Sequence, residues 1–301
     1  MTGRPAYNQM NMLRAWLLAT RLPTLPAAVV PVLVGTAAAI REGHFRPLGF
    51  VAALLAALLI QIGTNFINDY YDFLSGADTS NRKGPIRPLQ LGLVTPRTMF
   101  LAAALCFLIA ALLGLYLIYL AGWPILVIGI AAIIAAVTYT GGPIPYGYIG
   151  LGDLFVFIFF GLVAVMGTYY VHAESVNAFV LLLSLPVAAL VTAILVVNNV
   201  RDIDSDKAAG KKTLAVIIGD RAARSEYLVL ILVAYLTVII GVISGILPIW
   251  SAAVLFTLPL AIRSTRTVLY SSKGPELNSA LKATGRLHLI FGLILSVTLL
   301  V

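Results

Sequence analysis

The chain has 301 residues, of which 60% are hydrophobic and 11% are charged, and its formal net charge is +8. Soluble domains carry about 25% charged residues, so the composition excludes a soluble fold and indicates a membrane protein. The single cysteine, Cys106, excludes an internal disulfide and a cysteine-rich metal site.

The apolar segments predict an all-α, polytopic membrane helix bundle of about nine transmembrane helices. A helix needs about 20 largely apolar residues to cross a bilayer. We expect one domain over residues 1–301. Pro23, Pro26 and Pro31 fall inside or at the edge of the first span, where neighbouring helices can satisfy the freed carbonyl groups. In chain order the candidate spans are 19–40, 48–68, 98–120, 123–141, 151–171, 177–199, 226–246, 248–268 and 283–301.

The charge distribution predicts the orientation of the bundle. With nine spans, 18 of the 20 Lys and Arg residues fall on one side, and only Arg41 and Arg46 fall on the other. The positive-inside rule makes the basic side cytoplasmic, so we expect an inner-membrane protein whose N-terminus and acidic loops face the cytoplasm. Orientation, with some attraction to anionic membrane lipid, accounts for the net charge, and no nucleic-acid partner is expected.

Two clusters of asparagine and aspartate end the second and sixth spans, on the same side of the membrane. On a continuing helix, residues three or four apart share one face, which leaves Asp204 pointing elsewhere. The two halves of the chain resemble each other, so we expect the clusters to face each other. The first cluster is Asn68, Asp69 and Asp72, and the second is Asn198, Asp202 and Asp206.

The paired clusters predict a magnesium site. Facing carboxylates repel each other unless a cation lies between them, and hard oxygen ligands favour magnesium over soft metals. Magnesium usually bridges a few carboxylates to substrate phosphates, and Asp72, Asp202 and Asp206 are the candidate catalytic residues. Basic residues follow both clusters and are expected to bind a diphosphate: Arg82, Lys83, Arg87, Arg201, Lys211 and Lys212.

These motifs resemble those of the UbiA superfamily of intramembrane prenyltransferases, whose two aspartate-rich motifs are similar to residues 68–78 and 198–206. Further stretches carry a closer resemblance to the 1,4-dihydroxy-2-naphthoate polyprenyltransferases of menaquinone synthesis. They are residues 68–73 with Gly76 and Asp78, and residues 84–88, 139–148, 150–153, 161–170, 198–202 and 210–214. Two positions depart from the pattern. Gly76 stands where the superfamily has a third acid, so Asp78 is expected to take its role as a metal ligand. Pro143 stands where many relatives carry a lysine.

The resemblance implies a bundle around a central cavity that opens sideways to lipid, and Mg²⁺-dependent ionisation of a polyprenyl diphosphate. It also implies an aromatic acid acceptor, 1,4-dihydroxy-2-naphthoate, which loses its carboxyl group on prenylation and gives demethylmenaquinone. Asp153 is a candidate for positioning the acceptor or taking up its proton. The aromatic faces of Tyr139, Tyr146 or Tyr169 are candidates for stabilising the carbocation.

Two alternatives stay open at this point. The first is a prenyltransferase for another aromatic acceptor, such as 4-hydroxybenzoate or homogentisate, with the same diphosphate chemistry. The second is a cation-coupled membrane transporter, because repeats and paired acids at helix ends also fit that class. The position of both acidic clusters on one membrane face, away from the midplane, argues against a transporter.

Overall fold

The computed structural model describes residues 11–76, 87–271 and 274–301, and this part of the chain is helical, with no β-strand. In chain order the helices are α1 (Met12–Thr20), α2 (Pro26–Arg41), α3 (Pro47–Leu74), α4 (Pro96–Ala121), α5 (Trp123–Thr138), α6 (Gly152–Ala173), α7 (Ala178–Ala208), α8 (Leu214–Ile218), α9 (Asp220–Ile243), α10 (Ile249–Tyr270) and α11 (Gly274–Leu299).

In the described ranges, seven helices are long and apolar enough to cross a membrane: α3, α4, α6, α7, α9, α10 and α11. The segments Met12–Thr24 and Pro26–Arg41 make an eighth span if they are counted together, and α5 is apolar but has only 16 residues. The predicted all-α membrane bundle is confirmed. These segments follow the order of the predicted spans, while the count of nine stays a prediction.

The first predicted span is broken. Its two parts meet at an angle of 49°, and α1 ends at Arg21, whose φ of 50° places it in the left-handed region. Pro26 then opens α2 at a position where a missing N–H group does no harm. The break lies between Pro23 and Pro26, within residues 19–40, which were predicted as one span.

The two helices that carry the acidic clusters are longer than predicted. α3 continues to Leu74, beyond the predicted end at residue 68, and α7 continues to Ala208, beyond the predicted end at residue 199. Both clusters therefore lie on unbroken helix, so residues three or four apart do share a face.

Close helix packing fixes α7, which carries the second cluster, against its neighbours. α7 shares the main buried core with α2, α6, α9, α10 and α11. A Cβ atom at Gly161, in a π-helical stretch of α6, would lie 2.0 Å from the Cβ of Ala188 on α7. A Cβ atom at Gly292 on α11 would lie 2.2 Å from Val30 on α2. Small residues at these contacts let membrane helices approach closely.

Candidate active site

A cavity of about 710 Å³ opens between the two acidic clusters. Residues from both helices line it, and the structure therefore brings the ends of α3 and α7 to one site. The cluster residues that line the cavity are Asn68, Asp72, Asn198, Asp202 and Asp206. Asp204 is exposed and does not line it.

Asp72 is the most heavily contacted carboxylate of the first cluster. It is 3% exposed, and Arg87 Nη1 lies 2.6 Å from its Oδ2. Lys211 Nζ lies 2.9 Å from its Oδ1, and the Tyr148 hydroxyl donates to the same oxygen. Two cations and a phenol thus stabilise the charged carboxylate at the edge of the cavity.

The other two residues of the first cluster, Asp69 and Asn68, are held by contacts of their own. Asp69 is buried outside the cavity lining, where it pairs with Arg21 and lies 3.2 Å from Arg87 Nε. Asn68 accepts a hydrogen bond of 2.7 Å from Thr140, which follows α5. Arg87 bridges Asp69 and Asp72 and so orients both carboxylates.

Arg201 holds the second cluster from within the bundle. Its side chain is fully buried and pairs with both carboxylate oxygens of Asp202, with Nε to Oδ1 at 2.8 Å. The same guanidinium donates to Asn198 Oδ1 at 2.7 Å and to Asn278 Oδ1 on α11 at 2.9 Å. Arg201 does not line the cavity, so its contacts orient Asp202 and Asn198 toward it.

The loop after α7 places Lys211 and Lys212 differently. Lys211 lines the cavity, and its Nζ lies 4.4 Å from the centre of the Tyr148 ring as well as close to Asp72. The side chain of Lys212 is exposed and does not line the cavity, while its backbone N–H donates to the Tyr148 carbonyl at 2.9 Å. That backbone bond joins the two loops beside the cavity.

Aromatic side chains from the loop after α5 form one wall of the cavity. Tyr139 and Tyr146 line it, with ring centres 5.3 Å apart, and Tyr146 stacks on Phe155 at 4.2 Å. Burial, together with the charge of nearby Asp153, holds the pKa of Tyr139 well above its usual range. Burial and the Asp72 carboxylate do the same to the pKa of Tyr148, so its phenol remains a hydrogen-bond donor.

Asp153 lies behind this wall. It is 4% exposed and does not line the cavity, but its Oδ2 lies 3.4 Å from Nδ2 of Asn199, which does. Its Oδ1 is buried without a hydrogen-bond partner among the described residues. Tyr169 lies away from the cavity, where its hydroxyl donates to Glu42.

The deeper part of the cavity is apolar. Its wall includes exposed leucine and isoleucine side chains of α4 and α5, which suit a lipid tail, while the sideways opening that the resemblance implied stays a prediction. The exposed wall residues are Leu108, Leu112 and Leu115 on α4, and Leu126 and Ile130 on α5.

The oxygen atoms around the cavity mouth suit a hard divalent cation that is shared with a phosphate-bearing ligand. The described residues contain no group of three or more His, Cys, Asp or Glu side chains that could hold a metal ion. Magnesium needs few protein carboxylates when phosphates and water complete its shell. Asp72, Asp202 and Asp206 fit that arrangement, with Arg87 and Lys211 beside them. Asp78, Arg82 and Lys83 lie outside the described residues.

Sequence reasoning missed four residues that shape this site. Arg21 was counted only as an orientation charge, yet it pairs with Asp69. Tyr148 lies in a segment rich in Gly and Pro. That composition indicates a loop, but it does not indicate that the Tyr148 phenol contacts Asp72. Thr140 and Asn278 carried no signal, because their roles depend on contacts between helices that are distant in sequence.

Together, the fold and the site define an intramembrane helix bundle in which two acidic helix ends share one cavity. The chain belongs to the UbiA prenyltransferase family, whose sequence model matches residues 28–290. This confirms the family that the motifs resembled.

Curated relatives match over most of the chain. It is 38% identical over 267 residues to the 1,4-dihydroxy-2-naphthoate octaprenyltransferase of Escherichia coli (strain K12), covering 87% of each chain. It is 39% identical over 281 residues to the 1,4-dihydroxy-2-naphthoate octaprenyltransferase of Mycobacterium tuberculosis (strain ATCC 25618 / H37Rv), covering 92% of this chain and 94% of that one.

Solved structures share the fold. The apo UbiA homologue from Aeropyrum pernix K1 has a TM-score of 0.68 at 18% identity, over 90% of this chain and 96% of that chain. The UbiA homologue from Archaeoglobus fulgidus bound to GPP and Mg²⁺ has a TM-score of 0.64 at 17% identity, over 94% of this chain and 99% of that chain. At these identities the similarity supports the fold.

Proposed function

We propose that this protein transfers a polyprenyl group from a polyprenyl diphosphate to 1,4-dihydroxy-2-naphthoate, with loss of the ring carboxyl group, as a step of menaquinone biosynthesis. Relatives that carry the 1,4-dihydroxy-2-naphthoate octaprenyltransferase name are 34 to 39% identical over most of the chain. The observation that carries the proposal at the level of chemistry is the shared cavity, with carboxylates and cations at its mouth and an apolar interior.

The mouth of the cavity suits the diphosphate end of the donor. Arg87 and Lys211 line it and carry charges that complement phosphate oxygens. Asp72, Asp202 and Asp206, with Asn68 and Asn198, would hold Mg²⁺ together with those oxygens. The ion that these residues would hold would supply positive charge to stabilise the departing diphosphate.

The interior suits the allylic carbon and its tail. When the carbon–oxygen bond to diphosphate breaks, the electron pair leaves with diphosphate and the carbon becomes cationic. The faces of Tyr139 and Tyr146 stabilise such a cation electrostatically, and the apolar walls keep water away from it. The ring carbon that bears the carboxylate then forms the new bond. The carboxylate leaves as CO₂, and the electron pair of the broken carbon–carbon bond returns to the ring, so the product stays at the hydroquinone level.

Asp153 and Asn199 are positioned to contribute to the acceptor side. Asn199 lines the cavity and lies 3.4 Å from the buried Asp153 carboxylate. We propose that Asp153 orients the Asn199 amide toward the hydroxyl or carboxyl groups of the aromatic acid. This is a positioning role, because Asp153 itself does not line the cavity.

The site also bears on orientation. Both acidic helix ends meet at one cavity mouth, so they share a side of the membrane, and the positive-inside rule assigns that side to the cytoplasm. The two water-soluble groups, the diphosphate and the aromatic acid, would then enter the cavity from the cytoplasmic side.

An acceptor screen tests the proposal. Membranes that contain this protein would receive one polyprenyl diphosphate, Mg²⁺ and, in separate reactions, 1,4-dihydroxy-2-naphthoate, 4-hydroxybenzoate or homogentisate, with products identified by mass spectrometry. We expect a prenylated, decarboxylated product from the naphthoate alone and no product in excess chelator. A prenylated 4-hydroxybenzoate or homogentisate as the main product would assign another acceptor. An absence of diphosphate consumption with all three acids would contradict prenyl transfer.

A further inference from the structure

A second, smaller cavity lies between α10 and α11, apart from the candidate active site. Its volume is about 290 Å³, and it shares no lining residue with the larger cavity. Three basic side chains and three hydroxyl-bearing side chains line it: Arg263, Lys282, Arg286, Ser264, Thr267 and Ser279. The basic residues come from both helices, so packing of the two helices creates the groove.

Among the described residues, no acidic side chain compensates the positive charge of this groove. No such side chain lines it, and within that part of the chain Arg263, Lys282 and Arg286 form no ion pair. Arg224 on the neighbouring helix α9 differs, since it pairs with Asp220 and donates to the Ser271 carbonyl. A concave surface lined by one sign of charge concentrates ions of the opposite sign, so the groove suits an anion.

The surroundings of the groove indicate a lipid rather than a soluble anion. On α11, Lys282 and Arg286 continue along the same helix face into Ile290 and Leu293, at spacings of three or four residues, and both apolar side chains are exposed. On α10, Arg263 continues along its face into Phe256, which is 85% exposed. Cationic residues that give way to exposed apolar residues match a phosphate headgroup followed by acyl chains.

We propose that the groove between α10 and α11 binds the phosphate of an anionic phospholipid, whose acyl chains lie along the exposed apolar faces of the two helices. Arg263, Lys282 and Arg286 contact the phosphate from both sides. This site serves lipid recognition, and it is independent of the prenyl-transfer proposal.

Native mass spectrometry of the purified full chain in detergent micelles tests the site. The groove variant is Arg263→Gln/Lys282→Gln/Arg286→Gln. The matched control is Arg97→Gln/Arg221→Gln/Arg266→Gln, which removes the same charge from exposed residues on the same predicted side, outside both cavities. Each protein is titrated with phosphatidylglycerol, with phosphatidylcholine, and with phosphatidylglycerol in the presence of millimolar inorganic phosphate.

We expect the wild type and the control to bind phosphatidylglycerol in preference to phosphatidylcholine. The groove variant should bind phosphatidylglycerol at least about tenfold more weakly, because each lost cation near a membrane surface weakens attraction to anionic lipid by about fivefold. Equal binding by the groove variant, or an equal loss in the control, would overturn the proposal. Displacement of the lipid by inorganic phosphate would assign the groove to a soluble anion instead. Size-exclusion profiles identify a variant that has unfolded, and single Gln variants then replace it.

Discussion

Lys211 Nζ lies 2.9 Å from Asp72 Oδ1, although the two residues are 139 positions apart in the chain. The contact ties the loop after α7 to the end of α3 and places an ammonium group at the cavity mouth. Asp72 belongs to the first cluster and Lys211 follows the second in the chain, so this pair links the two parts of the site directly.

Replacing Lys211 should weaken donor binding more than replacing its neighbour. Lys211→Gln removes a cation that lines the cavity, whereas Lys212→Gln removes an exposed one that does not. We expect Lys211→Gln to raise KM for the prenyl diphosphate about tenfold or more, since a charged hydrogen bond contributes about 1.5 to 3 kcal/mol. Lys212→Gln should stay within about twofold of wild type by the same steady-state assay, as expected for a solvated surface charge. Equal effects of the two changes would contradict the assignment of Lys211.

Neutralising the carboxylates at the cavity should reduce turnover strongly. Asp72→Asn and Asp202→Asn each keep the side-chain shape and remove a charge beside the expected diphosphate. We expect each to lower kcat by about 100-fold or more, the scale for the loss of one preorganised electrostatic group. Asp204→Asn, on the exposed side of α7, serves as the control and should retain activity. A large loss with Asp204→Asn and none with Asp202→Asn would place the functional face elsewhere.

Arg201 should be required for stability as well as for activity. It is buried with Asp202, and removing one partner of a buried ion pair costs about 3 to 5 kcal/mol. Arg201→Ala should therefore lower the unfolding temperature of the detergent-purified protein, whereas Arg221→Ala, at an exposed position on α9, should leave it unchanged. Asn278→Ala should give a smaller loss, because Arg201 keeps its other partners.

Labelling from one side of the membrane tests the orientation. Exposed positions Ser75, after the first cluster, and Ala209, after the second, are replaced singly by cysteine in a Cys106→Ala background. Both should react with an impermeant thiol reagent in inside-out vesicles only. A cysteine at His44, between α2 and α3, should react in right-side-out vesicles only. Labelling of Ser75→Cys and Ala209→Cys from opposite sides would contradict the shared cavity mouth.

The fold could be predicted from the sequence because the length of each apolar segment and the distribution of basic residues can both be read from the order of residues in the chain. Residues 98–120, for example, match α4 within two residues at its start and one at its end. The ends of α3 and α7 were missed because the apolar pattern stops at the polar cluster residues, whereas both helices continue beyond the membrane core. The spacing of Asp202 and Asp206 still indicated a shared face, since helix geometry alone determines it.

Beyond the facing of the two clusters, contacts between individual side chains on distant elements could not be predicted from the chain. Nothing local to Asn278 indicates that α11 reaches Arg201, and Arg201 itself was predicted to bind diphosphate because adjacency to Asp202 suggested it. The structure places its guanidinium behind Asp202. The burial and direction of a side chain depend on which helices pack together, and helix packing cannot be predicted from a single sequence.

A cavity that opens sideways between α4 and α5, as we propose from its exposed wall residues, changes what the concentration of the donor means for this protein. A donor whose tail enters from the bilayer through the gap beside Leu112 and Ile130 is encountered in two dimensions, as a fraction of the lipids around the protein. Adding inert phospholipid at a constant total amount of donor should then slow the reaction, whereas enlarging the aqueous volume should not. The ratio of donor to lipid in the bilayer, and not the donor concentration in the whole sample, would then determine how fast the donor binds in the cavity.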